Sequence, residues 1–173
     1  PHADRAAYDD AIQASSGIAA MFHRRDGAPA YVPTVIADKV CALFVTQAVL
    51  VALIHRRETG AGQTIEVPMF ETMVGFNLLE HFRSAALDPP PPTVGYPRVL
   101  ARDRRPYECA DGWVAILPYS TANWAAFFEL IDRPELIDDD RYATHFARID
   151  HIDELYALIV EAAPSRTVDE WLA

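Results

Sequence analysis

Residues 38–57 read DKVCALFVTQAVLVALIHRR, and the way this run is covered decides the fold. Between Val40 and Ile54 no charge occurs, and only Thr46 and Gln47 interrupt the apolar residues. The pattern predicts a helix from near Asp38 to Arg57 that is apolar nearly all round, and such a helix must be covered on every side. The uncharged run is shorter than the roughly 18 residues expected of a membrane span, so a buried core helix is expected, with no membrane partner. The rest of the 173 residues looks too short to cover this helix and build a second core as well. The chain opens at Pro1 on a polar stretch, and Thr167 with Glu170 forms a capping-box pattern only three residues before its end. These features together predict an internal piece of a larger protein.

Downstream of the helix, Thr59-Gly60-Ala61-Gly62-Gln63 predicts a tight turn, with Gly60 as the helix C-cap. Thr64–Met69 alternates as a short strand, and Glu71–Ser84 has the period of an amphipathic helix. Residues 88–92 read DPPPP, which favours an extended polyproline spacer and a domain boundary. The expected division is therefore part of a large α/β domain at 1–87, a Pro-rich linker at 88–98, and a small α+β domain at 99–173. In the latter, Tyr107–Cys109 and Trp113–Leu117 flank Asp111-Gly112, a hairpin signal. Helices are expected at Ala122–Ile131, Asp140–Arg148 and Ile152–Ala163, the last stopped by Pro164. Upstream, Tyr8–Met21 predicts a helix or helix-turn containing Gly17, and His23–Pro33 a polar loop turning at Asp26-Gly27.

The chain is 51% apolar and 23% charged, which fits a globular protein rather than a disordered one. Its net charge of -10 disfavours nucleic acid, whose phosphates need a basic surface. The two cysteines, Cys41 and Cys109, form no disulfide framework or metal motif, and the six histidines are scattered. No signal peptide is recognised, no metal is expected, and a reducing cytoplasm is the expected setting.

Asp38 stands directly before the apolar helix, and two readings of it are open. Aspartate is a preferred N-cap. A carboxylate at a helix N-terminus is also stabilised by the dipole, and can attack a thioester while nearby N–H groups hold the developing oxyanion.

Three blocks in order, AYDDAIQASSG (7–17), PTVIAD (33–38) and ALIHRRETGAGQTIEVPMFE (52–71), resemble the family III CoA-transferases (CaiB/BaiF, formyl-CoA transferase-like). RRPYECADGWVAI (104–116) and the helix around Trp124 resemble the family's small domain more loosely. The resemblance implies part of that family's large α/β domain followed by its small α+β domain, in an interlocked homodimer. It implies a transferase moving coenzyme A from an acyl-CoA to a small carboxylic acid, the alternatives being an acyl-CoA racemase or isomerase of the same family, or a non-catalytic assembly module that keeps only the fold. Asp38, thirty residues after Tyr8, takes the place of the family's nucleophilic aspartate. Tyr8 matches a position lining the site, where family racemases carry histidine. Gln13 matches the glutamine of the first block, as a substrate or CoA contact, and Glu71 is a possible supporting residue. A phenol, with an ordinary pKa of about 10, is a poor base at neutral pH, which weighs against racemisation.

Two departures stand out. The family usually has Gly-Asp where this chain has Ala37-Asp38-Lys39. Where the formyl-CoA enzyme has a glycine-rich loop, this chain has Tyr119-Ser120-Thr121-Ala122-Asn123, which implies a different acceptor acid. The segment that supplies most CoA nucleotide contacts in the family is not in these residues.

Overall fold

A computed structural model describes residues 7–82, 88–89 and 94–173. The chain divides into two compact units, Pro1–Gly95 and Tyr96–Ala173, a division that falls within the linker expected at 88–98. Most of the expected proline run, residues 90–92, lies outside the described residues, as does Ser84.

Among its described residues the first unit holds four helices: α1 (Asp9–Ser15), α2 (Ile18–Asp26), α3 (Ile36–Thr59) and α4 (Met69–Phe82). Of the helix or helix-turn expected over Tyr8–Met21 the structure shows the latter, Gly17 at φ 100 separating α1 from α2. α2 then runs through His23–Asp26, where a loop was expected, and stops at Gly27 in the left-handed region. α1 and α4 pack on the N-terminal part of α3, around Ile12, Ile18, Ala37, Val40, Cys41 and Met73. A buried hydrogen bond from Asn77 Nδ2 to Ser16 Oγ ties α4 to the end of α1. Gly60 caps α3 as its sequence implied, with its N–H on the Arg56 carbonyl.

Two expectations are corrected here. The backbone at 61–68 pairs with no strand, because no described residue of this unit offers one and a ladder needs a partner. The described part of the first unit is thus all helical. α3, moreover, is covered only near its start: Leu43 is 64% exposed, and Leu50, Val51 and Ile54 are exposed too. At 24 residues α3 extends slightly beyond the Asp38–Arg57 expected of it. By length and composition alone it is long and apolar enough to cross a membrane, with 17% of its most apolar 18-residue window buried.

The second unit begins with the single-turn helix α5 (Pro97–Leu100) and a two-stranded antiparallel hairpin, β1 (Tyr107–Glu108) and β2 (Trp113–Val114). Glu108 pairs with Trp113, so the hairpin loop has four residues, and Asp111-Gly112 is not a two-residue turn. The loop is shaped by what it packs against. Asp111 Oδ1 accepts from the Val168 N–H at 2.7 Å, and the Ala110 N–H donates to the Arg166 carbonyl at 2.9 Å. A Cβ on Gly112 would come within 3.2 Å of Val168, so glycine serves close approach there.

Five more α-helices complete the unit, α6 (Thr121–Leu130), α7 (Asp140–Ala143), α8 (His145–Asp150), α9 (Ile152–Ala162) and α10 (Val168–Leu172). The core is α9's face of Leu155, Tyr156 and Ile159 against Trp124, Phe127 and Phe128 of α6, with Tyr107 and Tyr142. The single helix expected over Asp140–Arg148 is split at Thr144, whose extended backbone and hydroxyl cap α8 through the Ala147 N–H. Ser120 with Asn123 and Thr167 with Glu170 form capping boxes for α6 and α10. Arg148 is buried, donating to the Tyr142 carbonyl at 2.6 Å and to Thr121 Oγ1 at 3.1 Å.

Candidate functional site

At the N-terminus of α3, Asp9 links two of the four predicted site residues, Gln13 and Asp38, and adjoins a third, Tyr8, along the chain. Val35 occupies the N-cap position and brings no side-chain oxygen, so the first N–H groups of α3 need an acceptor from elsewhere. Asp9, the first residue of α1, supplies it. Its Oδ1 accepts from the Ala37 N–H at 2.7 Å and from the Asp38 N–H at 3.2 Å. Asp38 is therefore the third helical residue and not the N-cap that its position in the sequence suggested. Its side chain is exposed, and no described hydrogen bond or ion pair engages its carboxylate.

Gln13 sits one turn after Asp9 and is 1% exposed. Its Nε2 donates to Asp9 Oδ2 at 2.6 Å, and its Oε1 accepts from the Val32 N–H at 2.9 Å. Gln13, which the resemblance implied as a substrate or CoA contact, is buried, with its amide engaged within the fold. Tyr8 precedes Asp9 as the N-cap residue of α1 and is 79% exposed, with a ring open to a ligand. Asp9 thus joins Tyr8, its chain neighbour, to the backbone of Asp38 across a sequence separation that local patterns do not reveal. Asp9 was missed in the sequence. The one signal that pointed to it was the lack of a capping side chain at Val35.

Glu71 lies exposed in the first turn of α4, and no described bond ties it to Asp38, Tyr8 or Gln13. Lys39, the bulky neighbour of Asp38, is turned to Thr34, with its Nζ 2.6 Å from Thr34 Oγ1. One turn further along α3, burial pushes the Cys41 thiol pKa up, and the charges of Asp38 and Asp9 add to the shift. Cys41 and Cys109 are both buried and free. Among the described residues no three His, Cys, Asp or Glu side chains converge as a metal site. A cleft of about 540 Å³ in the second unit, lined by Leu130, Arg133, Leu158, Arg166 and Glu170 among others, contains none of the predicted site residues.

The family model described as CoA-transferase family III matches residues 1–173. Among curated relatives, a Mycobacterium tuberculosis protein named "Probable fatty acyl-CoA transferase Rv3272" is 30% identical over 99% of this chain and 46% of its own length. An Agrobacterium fabrum succinate–glutarate CoA-transferase is 27% identical over 92% of this chain and 40% of its own. The crystal structure of Rv3272 in its orthorhombic form superimposes with a TM-score of 0.75 at 27% identity, covering 99% of this chain and 44% of that one. A CaiB/BaiF family protein from Brucella suis gives 0.70 at 29% identity, covering 99% and 46%. The chain thus spans under half the length of the relatives it matches. Matched along its whole length and alike in fold, it belongs to CoA-transferase family III.

Proposed function

We propose that the protein transfers coenzyme A from an acyl-CoA to a small carboxylic acid, with Asp38 as the nucleophile. The observation that carries this reading is the exposed Asp38 carboxylate at the N-terminus of α3, left unengaged because Asp9 does the capping. The Asp38 carboxylate attacks the thioester carbonyl, the C–S bond breaks, and CoA thiolate leaves a mixed aspartyl anhydride. The thiolate then attacks the aspartyl carbonyl of that anhydride, releasing the donor acid as its carboxylate and leaving an aspartyl-CoA thioester. The acceptor carboxylate attacks this thioester, expels the thiolate, and forms a second anhydride. Attack of the thiolate on the new acyl carbon completes the product and frees Asp38. Tyr8 lines the site, Gln13 supports it from behind through Asp9, and Glu71 is held as a supporting residue from α4.

Several further points belong to the same proposal. The second unit acts as the small α+β domain of the family. The apolar face of α3 is covered by protein rather than lipid, in an interlocked homodimer in the cytoplasm. Residues 1–173 alone bind CoA weakly and do not turn over.

Hydroxylamine added during turnover of the full-length protein should convert Asp38 to a hydroxamate detectable by peptide mass. Asp38→Ala and Asp38→Asn should lose transfer activity while staying folded. Turnover within tenfold of the unmodified enzyme in either variant would sink the assignment.

A further inference from the structure

We infer that Asp9 is a positioning residue for the reaction, holding Asp38 and Tyr8 in one fixed relation. The inference rests on Asp38 being the nucleophile. Asp9 is 7% exposed, and both of its oxygens are occupied: Oδ1 by the Ala37 and Asp38 N–H groups, Oδ2 by Gln13 Nε2. A carboxylate held on both sides cannot rotate away. Gln13 is fixed in turn, with its Oε1 on the Val32 N–H and its Nε2 also 3.4 Å from the Thr34 carbonyl. The relay therefore runs from the 32–34 segment through Gln13 and Asp9 to the backbone of Asp38.

This arrangement does two things for a nucleophile. It fixes the backbone of Asp38 through its own N–H, which sets the direction in which the side chain leaves the helix. It also spares Asp38 from capping, a role in which its lone pairs would be turned onto backbone N–H groups instead of an incoming carbonyl. Because Asp9 begins α1, the same bonds hold Tyr8 at the edge of the site.

The test uses the full-length protein, with acyl-CoA donor and acid acceptor, at a temperature where every variant is folded. Asp9→Ala should lower kcat roughly 100-fold while the KM for acyl-CoA stays within about threefold, the signature of misplacement rather than lost binding. Asp9→Asn sets two amide donors face to face and should also lower kcat. Adding Gln13→Glu reverses the bond between the two side chains, the amide at 9 now donating to the carboxylate at 13, and keeps acceptors for the Ala37, Asp38 and Val32 N–H groups. The Asp9→Asn/Gln13→Glu protein should recover kcat to within about tenfold of the unmodified enzyme. Unchanged kcat in Asp9→Ala, or no recovery in the folded double variant, would overturn the inference. Asp38→Asn run in parallel keeps the two assignments apart. If it retains turnover, the nucleophile is misassigned whatever the Asp9 variants do.

Discussion

Gln13 Nε2 lies 2.6 Å from Asp9 Oδ2, a buried pair one helical turn apart that joins the start of α1 to the segment leading into α3. Replacing Gln13 with leucine removes the donor to a buried carboxylate and the acceptor for the Val32 N–H. The loss should amount to about 2–4 kcal/mol, since unsatisfied buried groups cost far more than a made hydrogen bond contributes. Urea unfolding of the variant is the check, with the Asp9→Asn/Gln13→Glu protein, which keeps a donor–acceptor pair and an acceptor for Val32, expected to lose less.

Glycine at 17 and at 27 both adopt positive φ, but in different surroundings. A Cβ at Gly17 would meet Leu78 at 3.2 Å, whereas nothing lies within 4 Å of one at Gly27. Gly17→Ala should cost about 1–3 kcal/mol from backbone strain together with the displaced leucine. Gly27→Ala should cost about 1–2 kcal/mol from conformation alone. Thermal melts of the two variants should rank them in that order.

The second unit has a pH-dependent component on its surface. Glu154 accepts from His151 Nδ1, the Tyr142 hydroxyl and Arg141, and these partners, His151 foremost, hold its carboxyl below the ordinary glutamate range. Asp139 is likewise held low, chiefly by Arg141. A depressed folded pKa contributes stability that is complete above the unfolded-state value and is lost as pH falls through the folded one. The melting temperature should therefore hold from neutral pH to about 5 and fall below the usual carboxylate range of about 4. Glu154→Gln should flatten that acid limb without altering the neutral plateau beyond the small effect expected of exposed charges.

Residues 1–173 expressed alone should associate, because Leu43, Leu50, Val51 and Ile54 leave an apolar face of α3 open to water. Sedimentation velocity should show oligomers, and the Leu43→Glu/Leu50→Glu variant should shift them towards monomer. A stable monomer of the unmodified residues that binds CoA tightly would contradict both the association and the proposal that cover and cofactor contacts come from elsewhere.

Features governed by bonds reaching only a few residues were legible in the sequence. The apolar run from Val40 to Ile54 demanded a helix, Gly60 ended it, and Thr167 with Glu170 announced α10, because caps and periodicities act within a turn or two. The ordered blocks from Ala7 to Glu71 carried the family for the same reason that a chain carries its own pattern. What the tertiary structure alone decided depended on partners distant along the chain. Local preference made Asp38 the cap of α3, yet packing brought Asp9 to that place from 28 residues upstream. The alternation at Thr64–Met69 favoured a strand, but no described residue of its unit offers a neighbour to exchange hydrogen bonds, and it formed none. Gly112 appeared to serve a tight turn, and in the fold it makes room for Val168. A sequence states what each residue prefers among its neighbours, and the free energy of burying a donor or a methyl group depends on which distant residue comes to rest against it.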